Sequence, residues 1–590
     1  MKILHRRKNL HLGKIGAVFL ASLFFCFFWF CYSLFEVQYN LNLARLNAVQ
    51  AIKNFNSASG DDLANSLERM NRNLSDATHD MENPAWWIFS HTPVLGRSPV
   101  AVETVTRNLV EILSNTRKLN QFLREDKNFN HLTVADSEFI VRSLSAVAEI
   151  KHPLSEAIFQ INSLNLSQVP NLIREPVRRV GDDLETIQPF INEGDSYAKI
   201  APMLFGLHHK QRFMLVFLNG AEARSIGGFP GGWGILTSQN GNFILKKTMT
   251  DSVFNNKPLL NWQNYVSIDQ AAIYGNDLSR WSDMNLSPDF PTNARLMAAL
   301  LKQDVGENVD GVLAIDQNAL SALLAVTGPI SFHKKSLNSQ NIASYMNIGI
   351  YKDFSNPKTK DEAAMQIVQL VFDQFKTHRM NALLLARSFI PAIYYNHMHL
   401  WIANKTDQNI IEQTSFGGST SNALRPTNAV VFVNGAGNKI DAYINAKIRF
   451  QQGLCFVDSP YRNSFMSIEL INHAPKNGLP RYVTPRNDLA PSKNFIRGST
   501  RMIVYVHATL GSEFTSALLG NQQVSPVAQG IDSGRQVWRF DLDLNPQNHV
   551  ALTVNFAEPA DGTQASPKLW TQSMPRAVIS RVITGESCKR

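Results

Sequence analysis

A carboxylate and a guanidinium stand close together just past an apolar run in the middle of the chain. The run covers residues 213–218, and Glu222 and Arg224 follow it. A short apolar run bounded by turn signals is typical of a strand covered on both faces. Domains of the α/β class commonly keep ligand sites beyond the end of such a strand. Gly227 and Gly228 come next, and glycines let backbone amides approach an anion. The pattern therefore predicts a ligand site at this strand end.

Other charged side chains could complete this site. Arg280 belongs to a later loop from which it could approach, although the sequence does not place it. Asp310 stands at the start of a second buried-strand pattern, residues 309–316, and a glycine follows it. A carboxylate in that position can cap a turn or hold a ligand. A simpler alternative for Glu222 and Arg224 is a structural ion pair that braces the loop.

Three segments carry a family resemblance: residues 214–234, the turn at residues 287–291, and residues 309–329. They resemble a family of bacterial envelope proteins known as domain of unknown function 4012 (DUF4012), and the resemblance extends over most of residues 40–475. That family is similar in turn to the LytR-CpsA-Psr phosphotransferases, which move glycopolymers from a polyprenyl pyrophosphate carrier onto the cell wall. The resemblance implies a transferase-like α/β core.

The resemblance also implies roles for two of the charged residues. The transferases carry Asp-x-Arg after their first strand, where the acid helps to hold Mg²⁺ and the arginine grips the pyrophosphate. Glu222 and Arg224 match that spacing, and their groups suit Mg²⁺ and phosphate oxygens respectively. The transferases also carry a downstream Arg-Ser-Asp, whereas residues 227–234 hold no charged side chain. Glu222 is the candidate Mg²⁺ ligand, and residues 227–234 lack the second arginine and the second carboxylate of the transferase pattern.

Three functions fit these observations. The first is an envelope protein that binds a polyprenyl-phosphate-linked carrier and assists glycopolymer assembly without catalysis. The second is an active Mg²⁺-dependent glycopolymer phosphotransferase. The third is a scaffold that docks other envelope proteins. Whether the chain is an enzyme stays open at this point.

Residues 15–35 form an uncharged, apolar run. As a helix this run is roughly 32 Å long, which is enough for a bilayer core. Basic residues crowd the preceding tail, residues 1–14, and such residues stay in the cytoplasm. A cleaved signal peptide fits less well, because the run is longer than a signal h-region and lacks a small-residue cleavage site. We therefore expect a single-pass type II plasma-membrane protein that contacts membrane lipid and lies mainly outside the cell.

The sequence pattern of the remaining chain changes twice, which divides it into three regions. Helical periodicity predicts a stalk over residues 37–204. Within it, Trp86 and Trp87 lie between two proline-containing helix breaks. They either pack at the top of a helical hairpin or contact lipid or a partner protein at an interface. Alternating strand and helix patterns over residues 205–415 predict the α/β domain. Strand-like alternation over residues 425–590 predicts a β-sandwich. The expected architecture is multi-domain: a transmembrane helix, a helical stalk, a LytR-CpsA-Psr-like α/β domain and an all-β sandwich.

Composition limits the classes of partner that the chain is expected to bind. The chain of 590 residues has a net charge of +9, which suits an anionic ligand without demanding one. It has no basic helix and no aromatic-basic platform, so nucleic-acid binding is not expected. Cys455 and Cys588 would face an oxidising exterior, and whether they pair is left open. No cysteine–histidine cluster has zinc-ligand spacing.

Overall fold

The structure, a computed structural model, describes residues 2–124, 137–254, 257–378, 381–420, 427–457, 459–560, 567–585 and 588, with the backbone alone for residues 2–23, 137, 189–190, 377, 382 and 427. The chain divides into two compact units. One comprises Met1–Leu132, Glu138–Ala198 and Asn381–Leu383, and the other Thr133–Ser137, Lys199–Met380 and Leu384–Arg590. The N-terminal region is helical and the C-terminal region is rich in β-sheet. The coarse multi-domain prediction is confirmed.

The helices of the N-terminal region are α1 (Lys2–Asn56), α2 (Gly60–Asp80), α3 (Pro84–Ser90), α4 (Arg97–Ser114), α5 (Arg117–Arg124), α6 (Ser137–Ala148), α7 (Lys151–Asn162) and α8 (Asn171–Leu204). Helical spacing aligns Ala101, Val105 and Ile112 on one face of α4. These side chains share a buried apolar cluster with Leu154 of α7 and Leu184 of α8. Tertiary packing of such faces supplies most of the stability of helices in proteins.

Helix α1 contains the run that the sequence predicts to span the membrane. Its side chains are described from Phe24 onward, and those of Phe24, Phe25 and Phe28 are exposed. Searched over the described residues, no helix combines the length and apolar character that a membrane crossing requires.

The second unit begins with a five-stranded sheet in the order β3-β2-β1-β4-β7. Its strands are β1 (Gln211–Asn219), β2 (Phe229–Gln239), β3 (Asn242–Thr250), β4 (Gly311–Ile315) and β7 (Met398–Ile402). Strands β1 and β4 are parallel, with Phe213 opposite Gly311 and Phe217 opposite Ile315. The carboxyl ends of the two strands therefore meet at one edge of the sheet.

Helices and a small hairpin cover this sheet. They are α9 (Ile268–Tyr274), α10 (Phe290–Val305), α11 (Gln317–Thr327), α12 (Ile342–Ser344), α13 (Ile350–Asp353), α14 (Pro357–Thr377), α15 (Ala382–Tyr394) and α16 (Lys405–Ile411), with β5 (Ile330–Phe332) and β6 (Lys335–Leu337) as the hairpin. A π-helical turn, Tyr345–Gly349, joins α12 to α13. Asp289 accepts a hydrogen bond from Thr292 N and caps α10, and Gly306 ends that helix with a positive φ.

Two further sheets form the C-terminal β region, in the orders β13-β12-β16-β10-β9-β18 and β14-β15-β11-β8-β17. Their strands are β8 (Thr427–Asn434), β9 (Ile444–Cys455), β10 (Tyr461–Asn472), β11 (Thr500–Thr509), β12 (Glu513–Leu519), β13 (Gln522–Val524), β14 (Ala528–Asp532), β15 (Arg535–Leu544), β16 (His549–Pro559), β17 (Lys568–Thr571) and β18 (Ile579–Ile583). A disulfide joins Cys455 to Cys588. The predicted boundary at residue 425 lies outside the described residues.

The α/β and β regions share one apolar core. Val431 and Val433 of β8 belong to the same buried cluster as Met214 and Val216 of β1 and Trp281. Successive strand side chains point to opposite faces, and residues 429–433 are all buried. Strand β8 is therefore covered on both faces, once by the β region and once by the α/β region.

Candidate functional site

Arg224 lies in the loop that follows β1, and it is buried. Its Nη2 donates to Glu222 Oε1 at 3.2 Å and lies 3.2 Å from Asp283 Oδ1. Its Nε and Nη1 donate to the carbonyl oxygens of Ser282, Ala223 and Asn434. All three guanidinium nitrogens thus have protein partners.

Glu222 is equally engaged. Its Oε1 accepts from Arg224, and its Oε2 accepts from the ammonium of Lys439. Burial lowers the pKa of Lys439 to about 8 and raises the pKa of Asp441 to about 6. Asp441 Oδ2 accepts a 2.7 Å bond from Ala223 N. This network fits the alternative of a bracing ion pair, since it fastens the loop after β1 to the β region.

Gly227 and Gly228 are buried and have φ values of 105° and 131°. A side chain at Gly228 would come within 2.2 Å of Asn219 O. The Gly228 carbonyl accepts from Asn285 Nδ2 at 2.8 Å. Glycine is therefore required here for backbone geometry and close packing, and these residues lie inside the folded loop.

The structure places the other two predicted site residues differently. Arg280 has an exposed side chain, and its carbonyl oxygen accepts from the backbone N–H of Asp283, which pairs with Arg224. Asp310 is exposed too, and its Oδ2 accepts from Arg212 N at 2.8 Å, at the beginning of β1. Glu222 follows the end of the same strand at Asn219. The strand rises about 23 Å between Arg212 and Asn219, and this length separates the two carboxylates. The structure does not bring Asp310 and Glu222 together, because the start of β4 and the end of β1 lie at opposite edges of the sheet.

No group of three or more His, Cys, Asp or Glu side chains is arranged to hold a metal ion within the described part of the chain.

A cleft opens at the edge where the carboxyl ends of β1 and β4 meet, the place where open α/β sheets bind ligands. Its cavity volume is about 40 Å³. Its walls are mainly apolar and come from the two strand ends, the start of α11, the π-helical turn, α13 and α14. The lining residues are Phe217, Leu218, Asn219, Gly231, Ile315, Asp316, Gln317, Leu320, Met346, Ile350, Tyr351, Lys360, Asp361, Ala364, Met365 and Val368.

Polar groups stand at one end of this cleft. Asn219 Nδ2 donates to the Tyr351 hydroxyl at 2.8 Å. The Lys360 ammonium contacts Asp361 and lies 5.3 Å from the Tyr351 ring centre and 5.9 Å from that of Tyr482. Such cation–π geometry stabilises a desolvated ammonium. Among the described residues that line the cleft, Lys360 is the only basic one.

A buried acid–imidazole pair adjoins the cleft. Asp316 Oδ1 accepts from Asn318 N and Ala319 N and so caps α11. Its Oδ2 lies 2.7 Å from His397 Nδ1 and accepts from Ser573 Oγ at 2.9 Å. Burial alone would lower the pKa of His397, but the Asp316 carboxylate outweighs it and raises that pKa. Ser573 donates to the acid rather than to the imidazole, which is not the arrangement of a nucleophilic triad.

Sequence reasoning identified one wall of this cleft and missed the other. The strand end at Asn219 and the cap at Asp316 follow from the apolar runs that precede them. Tyr351 and Lys360 lie more than a hundred residues from β1 in the chain, without a motif around them. Only the packing of α13 and α14 brings them to the strand ends.

Residues 208–351 match the model of a family described as "Protein of unknown function (DUF4012)". The match confirms the DUF4012 resemblance for the segment that runs from β1 to Tyr351, a narrower span than residues 40–475. No curated protein and no solved structure matches the chain significantly. The similarity to LytR-CpsA-Psr phosphotransferases therefore stays a hypothesis.

Proposed function

We propose that this chain is a membrane-anchored, extracytoplasmic envelope protein that binds a polyprenyl-phosphate-linked glycan carrier and assists glycopolymer assembly without catalysing the transfer. The α/β region then serves as a LytR-CpsA-Psr-like binding core. The ligand site is the cleft at the carboxyl ends of β1 and β4. One observation carries the proposal: an apolar-walled cleft at this edge contains a single ammonium, that of Lys360.

The chemistry of the cleft supports an amphipathic ligand. Apolar walls stabilise a hydrocarbon segment by excluding water. An ammonium on a flexible stem binds phosphate oxygens as a point charge. Asp361 shares that ammonium, so ligand binding has to compete with the internal pair.

The transferase-like positions support binding over catalysis. An active Mg²⁺-dependent transferase needs a carboxylate and a guanidinium free to meet metal and pyrophosphate. Glu222 and Arg224 are instead bonded to each other, to Lys439 and to backbone carbonyls. A role in bracing the loop accounts for both residues.

The anchoring rests on the basic tail before the apolar run of residues 15–35. The Cys455–Cys588 disulfide supports an exterior location, because disulfides persist in oxidising compartments.

The test is binding of a short polyprenyl phosphate to the full-length protein, with phosphate release measured in parallel with and without Mg²⁺. We expect binding without release. Lys360→Met should weaken binding by about tenfold or more, since a hydrogen bond to a charged group contributes about 1.5–3 kcal/mol. Lys352→Met is the matched control, because Lys352 is an exposed lysine nearby in the chain.

Other outcomes separate the alternatives. Mg²⁺-dependent phosphate release would identify an active transferase. No binding by the wild-type protein would favour a scaffold that docks other envelope proteins. Equal loss of binding in both lysine variants would show that the cleft is not the site.

A further inference from the structure

The short helix α3 packs beside the aromatic part of α1. The Phe89 ring stacks on Phe30 with centres 4.2 Å apart and lies 6.3 Å from the Phe27 ring. Trp86 lies 5.4 Å from Phe30 and is buried. Its Nε1 donates to Glu103 Oε2 at 3.1 Å. These contacts place α3 at the level of residues 27–30 along the α1 axis.

A polar layer begins one turn further along α1. Ser33 is buried, and its Oγ donates to Asp80 O at 3.1 Å and accepts from Asn83 Nδ2. Asn40 Nδ2 donates to Asp80 Oδ2 at 3.1 Å. The Asp80 carboxylate belongs to the water side or the headgroup region, because a charged side chain in hydrocarbon is costly. On the face of α1 that meets this polar layer, the apolar surface therefore ends close to Phe30.

On this face of α1 the apolar surface is short. From Ile15 to Phe30 the helix rises about 24 Å, against a hydrocarbon core of about 30 Å. A short span draws flanking apolar and aromatic residues into the interface. Such residues are needed at the outer end of the apolar surface of α1, and helix α3 lies at that level.

Side chains suited to that place are exposed around α3. Trp87 is 62% exposed and Leu95 is 70% exposed. Ile88 and Val94 also expose a large part of their surface. Val94 has a φ of 68°, which a β-branched residue rarely adopts, within the turn that presents it and Leu95 to the outside. Single exposed apolar residues are ordinary, but a contiguous set marks an interaction surface.

We propose that Trp87, Ile88, Val94 and Leu95 form an interfacial collar that inserts into the outer leaflet beside α1. The partner is the lipid bilayer, because the collar continues the exposed aromatic surface of Phe27 and Phe28. Tryptophan favours this zone, where an apolar ring and a polar N–H both find partners. The collar rests on the proposed membrane anchoring, and it lengthens the apolar belt beyond what α1 alone supplies.

The test uses the full-length protein in phospholipid nanodiscs, with Cys26 and Cys31 replaced by alanine. Spin labels are attached at Trp87→Cys and, separately, at Leu95→Cys. Accessibility to oxygen, which concentrates in lipid, is compared with accessibility to a water-soluble nickel chelate. Phe25→Cys reports on the span itself, and Leu172→Cys is the matched aqueous control, because Leu172 is an exposed apolar residue of the same helical unit.

We expect the labels at positions 87 and 95 to favour oxygen, as the label at 25 does, and the label at 172 to favour nickel. Nickel access at 87 and 95 with lipid at 25 overturns the collar and leaves the anchor standing. Nickel access at 25 as well overturns both the anchor and the collar. A second measurement avoids cysteines: brominated lipid should quench wild-type tryptophan fluorescence more than that of Trp87→Phe, and equal quenching counts against the collar.

Discussion

At the residue scale, Arg224 shows how burial changes the meaning of a charged motif. Its spacing from Glu222 suits a metal- and phosphate-binding pair, yet every guanidinium nitrogen bonds to the protein. Removing one member of a buried pair leaves the other charge desolvated and unpaired. The same two residues can therefore serve stability rather than ligand binding.

We predict that Arg224→Ala costs about 3–5 kcal/mol of unfolding free energy, measured by chemical denaturation. Arg280→Ala is the control, since Arg280 is exposed and surface changes usually stay within about 0.5 kcal/mol. A normal melt for Arg224→Ala, together with weaker binding of a polyprenyl phosphate, would instead support Arg224 as a phosphate-binding residue.

The pairing of His397 with Asp316 predicts how the stability of the fold changes with pH. The pKa of His397 is raised from 6.5 by Asp316, so its charged form stabilises the fold below pH 6.5, and that contribution is lost as pH rises through the raised pKa. The stability difference between wild type and His397→Gln should be largest near pH 5 and should shrink towards pH 8. His549→Gln, at an exposed histidine, is the control. A difference that grows with pH contradicts the pairing.

At the element scale, the sequence identified the parts that local rules determine. The Asn240–Gly241 turn has φ values of 47° and 73° and joins β2 to β3, as the dipeptide predicts. Asp289 caps α10, and aspartate is a preferred residue at that position. Alternation predicted β9, where buried and accessible residues alternate over most of its length.

Other elements depend on contacts that local rules do not contain. Residues 330–332 form the short strand β5, which pairs with β6 in a hairpin separate from the five-stranded sheet, because nothing in a three-residue strand specifies its partner. The second wall of the cleft was missed for a related reason. Tyr351 and Lys360 reach the strand ends through tertiary packing over a large sequence separation, and no local pattern encodes that approach.

At the scale of the whole molecule, the loop predicted to hold a ligand is a joint between the α/β and β regions. Ala223 O accepts from Asn434 N at 3.0 Å, and Ala221 O accepts from Asp441 N at 3.2 Å. The sequence did contain one signal of this joint. Residues 430–433 of β8 are apolar without alternation, which is typical of a strand covered on both faces.

The last prediction tests this joint with the β region expressed alone, as residues 427–590. The sequence predicts that this fragment folds by itself, with a β-type circular dichroism spectrum and a cooperative melt.

Val430 and Val431 are both buried in the full-length chain, and they point to opposite faces of β8. Val431 faces the α/β region, with which it shares a core, so Val431→Ser should cost about 2 kcal/mol in the full-length protein and little in the fragment. Val430→Ser should destabilise both, because its neighbours belong to the β region. Equal losses of stability from Val431→Ser in the full-length protein and in the fragment would show that the shared core does not hold the two regions together. A fragment without a cooperative melt would show that the β region needs the α/β region in order to fold.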